Sequence, residues 1–134
     1  MINKQEVIEQ IYDDWGQRPE SGICISILDY LLSSLDRNLS HITYGNLRKV
    51  VGKSYDDKEI LSAVQYLCGD KLHLLDTKFE LIEDENFIDV SKSDMHSATA
   101  TGKLCHPETG ELISNFEERV FIYFQPGSFL KKIL

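Results

Sequence analysis

Cysteine, proline and cationic residues are scarce in this chain, long apolar runs are missing, and each shortage removes a class of protein. The three cysteines, Cys24, Cys68 and Cys105, are odd in number and far apart. They exclude the dense disulfide framework of a small secreted domain and read as buried, reduced thiols of a cytoplasmic protein. The longest apolar run, residues 120–124, is the length of one strand, too short for a membrane-spanning helix. The opening residues, MINKQEVIEQ, lack the basic-then-apolar order of a secretory signal. With only three prolines and eight glycines, no linker or low-complexity tract stands out.

Signs of catalysis are missing as well. The sequence contains no Ser–His–Asp set, no nucleophile elbow and no CxxC pair. Gly102-Lys103 fails as the end of a phosphate loop, because Ser97 stands where the first glycine belongs and Leu104 where Ser or Thr is required. Cys105-His106, even taken with Cys68, His73 or His96, lacks the short-spaced ligand pair of a structural zinc site. Asp76-Thr77-Lys78 is too short a fragment to mark a metal-dependent nuclease. The expectation is a protein that is not an enzyme and uses neither metal nor cofactor.

Fourteen Lys and Arg face twenty-two Asp and Glu, a net charge of −8. The imbalance is local. Residues 83–118 hold nine carboxylates against two lysines, and residues 1–36 hold seven against two cations, whereas residues 37–82 come to +1. Affinity for nucleic acid comes mainly from neutralising phosphates, so an acidic chain gives up that term overall.

What is present describes a folded chain. A hydrophobic content of 42% alongside 27% charged residues fits one globular domain of 134 residues with one main core and room for a small appendage. Asn3 is placed to cap a helix over residues 4–15, where Val7, Ile8, Ile11, Tyr12 and Trp15 recur at helical spacing and Gly16 follows. Residues 17–21 form a connector, with Arg18 kept extended by Pro19. Residues 22–36 are a helix apolar on more than one side, through Cys24, Ile25, Leu28, Leu31, Leu32 and Leu35. His41-Ile42-Thr43 is a short strand. Thr43 and Asp56 then start two short helices, the second with Glu59 at capping-box spacing, and each start is flanked by an apolar pair, Ile42 with Leu47 and Tyr55 with Ile60. Gly52 and Gly69 suit left-handed helix ends. Next the period becomes two: Leu72 and Leu74, then Phe79 and Leu81, read as a hairpin turning at residues 76–78, with Lys71 and Lys78 framing its tip.

This order of helix, strand, two capped helices and ribbon over residues 22–82 resembles the winged helix-turn-helix family. The resemblance implies an α+β fold, in which residues 1–16 add an N-terminal helix and residues 83–134 a β-rich extension. In that extension residues 98–101, Ala-Thr-Ala-Thr, suit a strand, residues 107–110 a turn, and residues 120–124 a returning strand. The resemblance also implies that the helix from Asp56 is the one a DNA-reading relative lays in the major groove. The candidate nucleic-acid contacts are Tyr55, Lys58, Ser62 and Gln65 for bases and Arg48, Lys49, Lys53 and Lys78 for phosphates. Yet Asp56, Asp57 and Glu59 crowd the start of that helix and would repel phosphate.

The favoured expectation is therefore an acidic protein-interaction module, a subunit or adaptor of a larger complex, with a DNA-binding regulator as the alternative. A further alternative is an immunity-type inhibitor that masks a basic toxin. Candidate protein contacts are Glu83, Asp84, Glu85 and Asp89 of the acidic belt and Ile8, Tyr12 and Trp15 of the first helix, the last three also placed for pairing in a homodimer.

Overall fold

The computed structural model describes residues 3–35 and 39–133. Helices, a three-stranded antiparallel sheet and a small two-stranded ribbon make an α+β protein. The chain forms two compact units: Met1–Asp76 with Phe124–Leu134, and Thr77–Tyr123. Buried apolar side chains form two separate clusters, one in each unit.

The first unit is mainly helical. Helix α1, Lys4–Trp15, starts where Asn3 Oδ1 accepts the Glu6 N–H at 2.9 Å and ends at Gly16, whose positive φ of 62° closes the last turn. Helix α2 covers Pro19–Ser33 and so begins inside the expected connector. Arg18 is extended, as a residue before proline must be, but Pro19 itself takes the first helical position, where its missing N–H costs nothing. Ile23, Cys24, Ile27, Leu28 and Leu31 of α2 are completely buried, which is why its apolar residues spread over more than one face.

Helices α3, Tyr44–Val51, and α4, Asp57–Cys68, start with reciprocal capping boxes. Thr43 exchanges side-chain and backbone bonds with Asn46 at 3.1 and 2.9 Å, and Asp56 does the same with Glu59 at 2.8 and 3.0 Å. Ile42, Leu47 and Ile60 from the flanking apolar pairs are fully buried. The expected first strand shrinks to one bridge, in which Ile42 and Phe124 exchange backbone bonds of 2.8 and 2.7 Å. Gly52 has the left-handed φ expected of it, whereas Gly69 ends α4 in an extended conformation. Phe124, Leu130 and Ile133 return from the far end of the sequence to complete this core.

The hairpin moves along the sequence. Strand β1 runs without interruption through Leu75–Glu83, so residues 76–78 are strand, and the turn falls at Asp84-Glu85 before β2, Asn86–Val90. Two physical facts favour this register. Residues 76–78 include no Gly or Asn to reverse the chain, while Asp84 takes the left-handed region at φ 51°, which a short carboxylate side chain tolerates better than most.

Residues 92–101 correct a second expectation. They form helix α5, Lys92–Thr101, capped by Ser91 Oγ accepting the Asp94 N–H and ended by Gly102 at φ 80°. Thr99 and Thr101 accommodate to it by donating their hydroxyls to the carbonyls of Met95 and Ser97. Strands β3, Leu104–Cys105, and β4, Leu112–Ile113, pair across the turn at residues 107–110. After a 3₁₀ turn, Phe116–Glu118, strand β5, Val120–Pro126, lies beside β1 in the order β2-β1-β5. Leu81, Val90, Ala98, Leu104, Ile113 and Phe116 form the buried centre of the second unit. No described helix is long and apolar enough to cross a membrane.

Candidate interaction surfaces

The candidate DNA-facing residues cluster only in part. Arg48 on α3 is already engaged: Nη1 donates to the Tyr55 carbonyl at 2.6 Å, and Nε stands 3.5 Å from an Asp57 carboxylate oxygen that also accepts the Tyr44 hydroxyl at 2.9 Å. Burial together with that carboxylate raises the Tyr44 phenol above its ordinary value. Thus Asp57 competes directly with any phosphate for Arg48. Tyr55 is half-buried against the core, and its hydroxyl stands so near Gly22 that a side chain there would collide with it. It is a packing residue.

Lys58 and Gln65 are exposed on α4, while the Ser62 hydroxyl beside them is spent on the Lys58 carbonyl at 3.0 Å. Lys49 and Lys53 are exposed and line a shallow recess of about 610 Å³ with Arg48 and Gly52. Lys78 lies on β1 in the second unit, and Lys71 is in neither the hairpin nor its turn. Lys71 Nζ instead sits 2.6 Å from Asp14 on α1, a carboxylate that also takes the Tyr66 hydroxyl and the Gln10 amide. These partners, Lys71 foremost, hold the Asp14 carboxyl below its usual range, and burial plus Asp14 push the Tyr66 phenol up.

Helix α1 offers less surface than its sequence suggests. Trp15 packs edge-on against Tyr66 with ring centroids 5.4 Å apart, and the Arg18 guanidinium lies 5.3 Å over its ring. Ile8 is packed on the core, which leaves Tyr12, 51% exposed, as the open residue of the three.

The acidic belt divides in the same way. Glu83, at the end of β1, accepts from His106 and is ion-paired with Arg119 at 3.4 Å. The buried His106 ring is fixed by its neighbours: Nδ1 accepts the N–H groups of Glu108 and Thr109 at 3.1 and 3.2 Å, so the ring proton resides on Nε2 and is donated to Glu83. This fastening ties the loop after β3 to β1, and sequence spacing gave no sign of it. Asp89 accepts the Tyr123 hydroxyl at 2.9 Å, and burial with that carboxylate pushes the phenol up to about 12. Asp84 and Glu85 at the turn are exposed.

The second unit as a whole has ten carboxylates against four cations, a net −6 of the chain's −8. Its sheet also presents an apolar outer face. Leu81, Val90 and Val120 point into the second core, so by strand alternation Ile82, Phe87 and Phe121 point away from it. Phe87 is 66% exposed and Phe121 50%. Glu80 and Tyr123, on the same face, are buried. No protein family, curated protein or solved structure gives a match to this chain.

Proposed function

We propose that this chain is a non-enzymatic protein-interaction module of winged helix-turn-helix type, a cytoplasmic subunit or adaptor whose acidic hairpin unit meets a basic protein partner. The observation that carries the reading is the hairpin tip. In a nucleic-acid reader of this kind the tip approaches the phosphate backbone, yet here it consists of Asp84 and Glu85, both exposed, on a unit of net charge −6. Support also comes from Arg48, whose guanidinium is turned to Asp57 and the Tyr55 carbonyl. An exposed aromatic face beside an acidic rim suits a partner surface that is cationic with an apolar centre.

Two arms test the reading. Gel-shift titration with mixed-sequence duplex DNA at low salt is expected to show no complex. Affinity capture of the tagged protein from its own cells, repeated with the charge-reversal pair Asp84→Lys and Glu85→Lys, is expected to retain a basic partner with the native chain and lose it with the variant. A duplex complex that strengthens in the variant and weakens on reversing Lys49 and Lys53 would instead establish the DNA-binding alternative.

A further inference from the structure

We infer that the free edge of β2 is a strand-addition site for an extended cationic segment of a partner protein, an inference that rests on the interaction-module reading above. The sheet order β2-β1-β5 puts β2 at an end, and among the described residues no strand lies beyond it.

The register decides which backbone groups face outward. Asp84 and Glu85 are a two-residue turn between the partners Glu83 and Asn86, which makes the pairs Glu83–Asn86, Leu81–Ile88 and Phe79–Val90 the hydrogen-bonded ones. Phe87 and Asp89 then belong to the intervening pairs, and their N–H and C=O groups point away from β1. An independent bond agrees: the Ile82 N–H, whose residue pairs with Phe87, donates to Arg119 on the opposite side of β1 at 3.0 Å. Two consecutive outward-facing residues thus offer two donors and two acceptors to an incoming chain.

Sheets usually blunt such an edge with lysine, proline or a bulge. Strand β2, Asn-Phe-Ile-Asp-Val, contains none of those residues, and its pairing with β1 is regular from end to end. Its fittings are of another kind. Phe87 gives an apolar contact on the outer face, while Asp89, Asp84 and Glu85 give negative charge along and beside the edge. Charge complementarity selects the occupant: an extended Lys/Arg-bearing segment with an apolar side chain in register with Phe87. The same −6 on each unit opposes pairing of two β2 edges from two copies of this chain.

The probe is a short fluorescein-labelled peptide alternating lysine and valine, titrated by anisotropy at low ionic strength against the full chain. Its controls are the same peptide N-methylated at alternate residues and a twin with glutamate for lysine. Binding of the parent is expected, with a Kd about tenfold weaker for the N-methylated peptide because two main-chain bonds are lost. The glutamate twin is expected not to bind, and amide exchange is expected to slow at Phe87 and Asp89. Phe87→Pro removes an outward N–H together with the phenyl contact and leaves the bonds to β1 in place, so it should weaken the parent at least as much while the circular dichroism spectrum stays unchanged. Phe87→Lys, at an exposed site, checks the same edge by adding repulsion should the proline variant fold poorly.

Equal binding of parent and N-methylated peptides would reduce the interaction to charge alone and overturn the strand addition. So would a dimer of the free chain that Phe87→Pro dissolves. If neither the peptides nor duplex DNA bind, this inference falls and the interaction-module reading stands. Binding of duplex DNA without binding of the peptide would remove both.

Discussion

Replacing Phe116 by alanine should unfold one half of this protein and leave the other standing. Phe116 is buried in the small cluster of Leu81, Val90, Ala98, Leu104 and Ile113, and every buried member of that cluster belongs to the segment Thr77–Tyr123. Truncating a buried phenylalanine costs about 3–5 kcal/mol, the lost transfer energy together with the cavity left behind. Folded domains hold roughly 0.05–0.15 kcal/mol per residue, so a 47-residue unit has about 2–7 kcal/mol in reserve. Near the middle of both ranges, about 4 kcal/mol against about 4.5, the substitution removes nearly all of the second unit's stability. The first unit keeps its own cluster around Ile23, Ile27, Leu28, Leu47, Ile60 and Leu67, none of which is touched. Amide hydrogen exchange read by mass spectrometry is the assay. Peptides covering α5, β3 and β4 should lose protection by the full cost of the substitution, while those covering α2 and α4 change by less than tenfold. Parallel loss of protection in α2 and α4 would refute the argument, because it would show the two clusters unfolding as one cooperative body.

Three further outcomes follow from the same geometry. The Asp14 carboxyl is held below its ordinary value of 3.8, chiefly by Lys71, so its anion stabilises the fold above that pH and the contribution fades as the pH falls through the lowered value. Asp14→Asn should lower the melting temperature at neutral pH and reduce its dependence on pH in the acid limb; an unchanged acid limb would contradict this. Burial, with Glu20 nearby, pushes the Cys24 thiol up to about 12, whereas Cys105 is exposed, so native alkylation should label Cys105 first and Cys24 only after denaturation, as peptide mapping would reveal. Asp84→Gly should stabilise the hairpin by roughly 0.5 kcal/mol, since glycine adopts the positive φ without the Cβ penalty, and denaturant titration that finds a loss would argue against the turn described.

Local signals in the sequence were legible, and nonlocal ones were not. The caps at Thr43 and Asp56, the capping box of the second, the end of α3 at Gly52 and the strand over residues 120–124 depend on residues a few positions apart and were found where expected, whereas the reciprocal bond from Asn46 to Thr43 was not foreseen. The hairpin slipped because Leu72 and Leu74 alternate like a strand but are buried in the first unit, and because an aspartate supplies the left-handed turn that Gly or Asn would have announced. The second half of helix α5 was read as a strand over residues 98–101 because only Ala98 is buried along the helix and Met95 partly so, which leaves almost no apolar period; Ser91, Asp94 and Gly102 were the available start and stop signals. Of the candidate contacts, Arg48, Tyr55, Trp15 and Glu83 prove to be engaged within the fold. The partners that engage them include Gly22, Tyr66, His106 and Arg119, too distant in sequence for spacing to reveal.

The helical unit is assembled from two stretches of chain that flank Thr77–Tyr123. Ile42 waits for Phe124, and the core that α2 and α4 begin is finished by Leu130 and Ile133. During synthesis the ribosome therefore releases all of Thr77–Tyr123 before the earlier helices can receive their last side chains. A nascent chain halted just before Phe124 would present to chaperones and proteases a helical core still lacking Phe124, Leu130 and Ile133.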